Sequence, residues 1–153
     1  MLVRWPRPFF YAVMLPVIVL DQLTKMWATV SLRPLGTVEL APGFLNLTYV
    51  RNTGIAFGMF AGHGMLVGLF VVMLAVVALY HARDLNWAGW EPNLVGGCLC
   101  GAALSNLLDR SRLGYVVDFF DVYIGTHHWP TFNVADSLIC LAVGWIVVRQ
   151  LRA

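Results

Sequence analysis

Five aspartates lie within or beside apolar stretches of this chain: Asp21, Asp109, Asp118, Asp121 and Asp136. A charge at the centre of a membrane helix costs about 2.5–3.5 kcal/mol on insertion scales, so each acid needs a partner or a task. Asp118 stands in the apolar run Val116-Val117-Asp118-Phe119-Phe120. A carboxyl so placed holds its proton more firmly than it would in water. Asp121, one helical turn on, precedes a more polar loop and is more easily solvated. Asn133-x-x-Asp136 ahead of an apolar run reads as a helix N-cap with an acid at its third position. The helix N-terminus favours the ionised carboxylate there. An acid that keeps its proton beside one that has lost it can activate a water, polarise a carbonyl and protonate a leaving amine. On this reasoning Asp136 is the better base and Asp118 the better acid. Spacing does not say which acids meet.

The remaining polar residues read as supports. Asp21 and Lys25 are four apart, on one helix face. Asn106, Asp109 and Arg110 share a face of a later helix, with Arg110 closing it against the dipole and Asp109 free to pair across a bundle. Asn52-Thr53-Gly54 is a turn signal. Other chemistries find little. His63, His81, His127 and His128 make no i, i+4 ligand pair, so no metal site is expected. Ser105 reads as a helix-packing residue and Ser137 as a residue following a cap. Cys98, Cys100 and Cys140 form no framework, and no phosphate loop or dinucleotide fingerprint occurs. No cofactor is called for.

The elements that must position these groups belong to a membrane. Among 153 residues, 59% are hydrophobic and 12% charged, with a net charge of +2; the mean hydropathy is +0.74. Soluble domains average about 45–50% apolar and about 25% charged. No basic patch fit for nucleic acid is present. The chain reads as one domain, 1–153, with spans at about 9–30, 64–80, 94–110 and 134–150. A cleavable signal peptide is the rival reading of the first span, but Asp21, Gln22 and Lys25 do not suit a cleavage region. Pro16 should kink that helix. The third span is rich in Gly and Ala and should be the one best packed by protein. Residues 31–63 and 111–133 form a cap on one side. Within it Leu45-Asn46-Leu47-Thr48-Tyr49 alternates as a half-buried strand and pairs with 38–40 across a turn at 41–44. The fold expected is an all-α membrane protein, four transmembrane helices with a small β-sheet cap. Bases count five on each side, so the positive-inside rule favours cytoplasmic termini only if Lys25 and Arg110 are tied up inside the fold.

In combination these segments resemble the bacterial lipoprotein signal peptidases, the type II signal peptidases. The resemblance runs over about residues 21–140 and rests on five motifs in order: Asp21-Gln22-Leu23-Thr24-Lys25, the stretch from Asn52 to Gly58, the stretch from Gly101 to Arg110, Val116-Val117-Asp118-Phe119, and Phe132-Asn133-Val134-Ala135-Asp136. It implies an intramembrane aspartic endopeptidase of the inner membrane, multi-pass and working at the periplasmic side. Such an enzyme cuts a prolipoprotein just before a cysteine carrying diacylglycerol. Asp118 and Asp136 match the catalytic dyad. Asn52, Gly54, Asn106, Arg110, Asn133 and Ala135 match positions that line or shape the site, and Asp21 and Lys25 match supporting polar positions, with Asp109 beside them. The cap would be a β-sheet cradle with a lid. Ala102 and Ser105 depart from the family, which often has glycine there. Partners so implied are the lipidated substrate and membrane lipid, with the chain able to work as a monomer. The alternative function is a small proton- or ion-conducting transporter subunit. It is disfavoured because the acids cluster at one surface and make no continuous polar track.

Overall fold

The computed structural model describes residues 8–54 and 89–151, together with the helical positions Met73 and Val77. The expected span at 64–80 otherwise lies outside the described residues, as does the part of the cap beyond Gly54. Helix α1 (Pro8–Trp27) passes Pro16 without ending. It runs on through a π-helical turn, Ala28–Leu32, into a last short turn, α2 (Arg33–Leu35). Strands β1 (Thr37–Ala41) and β2 (Leu45–Asn52) follow as a hairpin. Helix α3 spans Trp90–Leu113, strand β3 Val116–Ile124, the short β4 His127–His128, and helix α4 Val134–Leu151.

The four strands form an antiparallel ribbon in the order β1-β2-β3-β4. The chain is therefore not purely all-α. The hairpin at 37–52 is the one expected, lengthened at its far end. Strand β3 was not foreseen, because the run 116–124 is apolar on both faces and lacks the period-two alternation of a half-exposed strand. As a strand, it puts Asp118 and Asp121 on opposite faces, which corrects the helical spacing assumed between them. Asp121 instead accepts from Asn46 Nδ2 at 3.3 Å and lies 2.7 Å from His128 Nδ1.

Helices α1 and α3 cross very closely. A Cβ on Gly97 would sit 2.8 Å from the Phe10 carbonyl oxygen, and one on Gly101 2.7 Å from that of Met14. Side chains at either place would force the helices apart, so the small-residue stripe packs as expected. Helix α3 continues a turn past Arg110 and stops at Gly114, whose positive φ turns the chain into β3. The inner end of the sheet rests on the π-helical turn through Ala28, Leu32, Val117 and Phe119.

The helices are polar inside and apolar outside. Asp21 and Ser105 are fully buried, while Leu15, Leu20, Val30, Leu141 and Leu151 are exposed. Among the described residues, two helices are long and apolar enough to cross a bilayer, Pro8–Leu35 and Val134–Leu151, and most of each lies on the protein's outer surface. A core helix of a soluble protein would be buried instead. Helix α3 has the length, about 36 Å at 1.5 Å per residue. It carries Glu91, Asn106, Asp109, Arg110 and Arg112.

Candidate active site

Asp118 lies near the start of β3, opposite Val50 of β2. Asp136 lies in the first turn of α4. They meet because the chain just before α4 is stitched to β3. Phe132 and Phe120 exchange backbone hydrogen bonds at 2.9 and 3.1 Å. That bridge delivers Asn133 to the carboxyl of Asp118.

Asn133 holds both acids. Its side-chain amide donates to Asp118 Oδ1 at 2.7 Å. Its side-chain oxygen accepts from the Asp136 N–H at 2.9 Å, while its own N–H donates to Asp136 Oδ2 at 3.2 Å. This is the reciprocal cap read from the sequence, with the spare amide protons turned to a second carboxyl. Asn52 donates to Asp118 Oδ2 at 2.8 Å, and its own oxygen accepts from the Gly54 N–H at 3.0 Å. Asn106 donates to Asp136 Oδ1 at 2.8 Å. Each acid thus keeps two donors on its two oxygens.

Asp118 is fully buried. Burial, and after it the nearby charge of Asp136, push its carboxyl up to about 7, against the pull of the Asn52 and Asn133 amides. Asp136 is partly exposed. The more enclosed acid is therefore Asp118.

Behind the pair runs a buried polar relay. Lys25 Nζ donates to Asn106 Oδ1 at 2.7 Å and pairs with Asp21 at 2.7 Å and Asp109 at 3.0 Å. Asp21 also accepts from the Ala135 N–H at 2.8 Å, tying α1 to the start of α4. The intrahelical pair expected of Asp21 and Lys25 exists, and Asp109 does reach a base across the bundle. Ser105, read as a packing residue, is a working member. Its hydroxyl donates to Asp21 at 2.7 Å and accepts from Gln22, which also donates to Asp109 at 2.7 Å. The available signal was a hydroxyl one position before Asn106, among glycines and alanines. Arg110 is buried, and its Nη2 donates to the Gly54 carbonyl at 3.1 Å. Its Nε has no hydrogen-bond partner among the described residues. Every site residue named from the sequence is in this assembly.

Fold and site together define a membrane enzyme whose helix pair carries a small sheet over a carboxylate pair. A bacterial membrane enzyme solved by the in meso method at 2.3 Å resolution matches with a TM-score of 0.80 and 28% identity, over 99% of this chain and 93% of that one. A second, solved at 1.9 Å, matches with a TM-score of 0.77 and 27% identity, over 99% and 98%. The family model of signal peptidase (SPase) II matches residues 13–152. The lipoprotein signal peptidase of Thermodesulfovibrio yellowstonii is 40% identical over 141 residues, covering 89% of this chain and 90% of its own. That of Geobacter sulfurreducens is 37% identical over 146 residues, covering 94% and 91%. The chain belongs to the signal peptidase II family, and it is a membrane protease of that family.

Proposed function

We propose that this chain removes the signal peptide from diacylglyceryl-modified prolipoproteins, cutting before the lipidated cysteine, with Asp118 and Asp136 as an aspartic dyad. The observation that carries the reading is the hold of Asn133 on both carboxyls. Asp136, as carboxylate, takes a proton from a water. The water oxygen bonds to the scissile carbonyl carbon while protonated Asp118 donates to the carbonyl oxygen. Collapse of the tetrahedral intermediate breaks the C–N bond. The proton gained by Asp136 passes to the leaving amine, and Asp118 recovers its own from the collapsing hydroxyl. Two carboxylates and a water suffice. The dyad titrates as a pair that shares one proton.

The relay through Lys25, Asp21, Asp109 and Ser105 keeps Asn106 and Ala135 in place, and Arg110 fixes the Gly54 turn. Gly54, Asn52, Asn106, Asn133 and Ala135 shape the cleft. Helices α1, α3 and α4 are three spans of one domain, and the expected span at 64–80, apart from Met73 and Val77, lies outside the described residues. Lys25 and Arg110 are both buried. With those two withdrawn from the loops, the opposing side keeps Arg33, Arg51 and Arg112 against Arg4, Arg7, Arg83, Arg149 and Arg152. That balance supports cytoplasmic termini and a periplasmic cap in the inner membrane. The substrate's signal helix and lipid would hold its cleavage site at that depth, and a monomer is enough.

The test is cleavage of a lipidated precursor by purified Asp118→Asn and Asp136→Asn enzymes. Each should lose cleavage altogether while melting as a folded protein. Retained cleavage in either removes the dyad.

A further inference from the structure

A groove of about 540 Å³ among the described residues does not reach the carboxylate pair. It runs along the seam of α1 and α3, from Ile18 and Val19 up to Thr29, Val30 and Leu113. Its walls are mostly apolar, and its flanks are the exposed Val19, Leu23 and Met26, so it faces lipid. Basic side chains gather near its outer end. Arg112 lines the groove itself. Arg51 lies over the Tyr115 ring, 5.1 Å from its centroid, and the charge of Arg33 bears on the same tyrosine. All three arginines are exposed, and among the described residues no carboxylate pairs with any of them. The hydroxyl of Tyr49 is enclosed close by Arg51 and Tyr115.

We propose that this seam binds an anionic phospholipid, one acyl chain lying in the α1–α3 groove and the headgroup phosphate held by Arg33, Arg51 and Arg112. Charge complementarity selects the occupant. An acyl chain alone would satisfy the groove, but three exposed guanidinium groups with no carboxylate partner among the described residues, at the depth where a headgroup sits, call for a phosphate. The substrate's diacylglyceryl group carries no phosphate, so this occupant is a bilayer lipid and not the lipid that is processed. The floor of the groove is Lys25 and Asp109, so an occupied seam braces the relay from behind.

The experiment uses the full-length enzyme in detergent. Binding of dioleoyl phosphatidylglycerol and dioleoyl phosphatidylcholine is compared by native mass spectrometry and by the rise in melting temperature. The wild type should prefer the anionic lipid, and each of Arg33→Gln, Arg51→Gln and Arg112→Gln should weaken that preference about fivefold, the equivalent of about 1 kcal/mol per basic residue. The lipid-free variants should melt as the wild type does, since all three side chains are exposed. Where one variant fails to fold, the other two carry the measurement. Equal binding of the two lipids, or a preference that survives every substitution, overturns the proposal. Displacement of the lipid by inorganic phosphate at the same concentration overturns it as well, because the groove would then contribute nothing.

Discussion

Lys25 Nζ donates to Asn106 Oδ1 at 2.7 Å, and the same Asn106 side chain donates from its other end to Asp136 at 2.8 Å. The amide is thereby locked in one orientation. Its oxygen is turned to the cation and its NH2 to the acid. A lysine on the first helix thus decides how an acid on the last helix is solvated.

Lys25→Met should unfold the centre of the bundle. Asp21 and Asp109 would be left buried and unpaired, a loss of about 3–5 kcal/mol when one partner of a buried ion pair is removed. A fall in melting temperature in detergent checks it. Glu39, at the exposed outer strand, serves as control: Glu39→Gln should melt as the wild type does.

Asn133→Ala should cost about 10²-fold in kcat/KM, since Asp118 loses an amide donor, the first turn of α4 loses the side-chain oxygen that caps it, and displacements near 1 Å carry that penalty. Steady-state cleavage of a lipidated peptide measures it. Asp121→Asn offers the contrast. That acid sits on the other face of β3 with Asn46 and His128, so its loss should leave kcat within about twofold, because none of the three touches the carboxylate pair.

Stability should depend on pH through Asp118. Its carboxyl rises from 3.8 unfolded to about 7 folded. Between those values the unfolded chain has released a proton that the folded chain keeps, so stability falls as pH rises through that window and levels above it. Below the unfolded value the effect is absent. Asp118→Asn should flatten the pH dependence of melting between about 4 and 7. A slope unchanged by the substitution would count against a buried, proton-holding Asp118.

Activity should report the same group. Asn52 stabilises the ionised form of Asp118. Asn52→Ala should therefore carry the alkaline limb of the kcat/KM profile to higher pH. A limb that stays or moves down argues against Asp118 as its origin.

Gly101→Ala should destabilise by about 1–3 kcal/mol, the cost of overpacking a close contact. Its Cβ would meet the Met14 carbonyl at 2.7 Å. Gly144→Ala, with nothing within 4 Å of the added atom, should melt as the wild type does.

The order of the residues determined much of this. Hydropathy marks α1 and α4 because burying about 20 apolar residues in lipid is a local property of the chain. The Asn133–Asp136 cap is legible because both partners lie within one turn, and Asp21 with Lys25 for the same reason. Strand β3 was hidden. A strand covered on both faces has no alternation to read, and the apolar run around Asp118 looks like any buried segment. Ser105 was hidden because its partners, Asp21 and Gln22, are more than 80 residues away.

Which acids face each other was settled only by tertiary structure. Nothing in the spacing of 118 and 136 prefers that pair to 121 and 136. The choice is made by the alternation of β3, which turns Asp118 inward and Asp121 away, and by the Phe120–Phe132 bridge that brings Asn133 beside it. Those are contacts between segments far apart in hydrogen-bond pattern, and a linear chain carries no record of them until it folds.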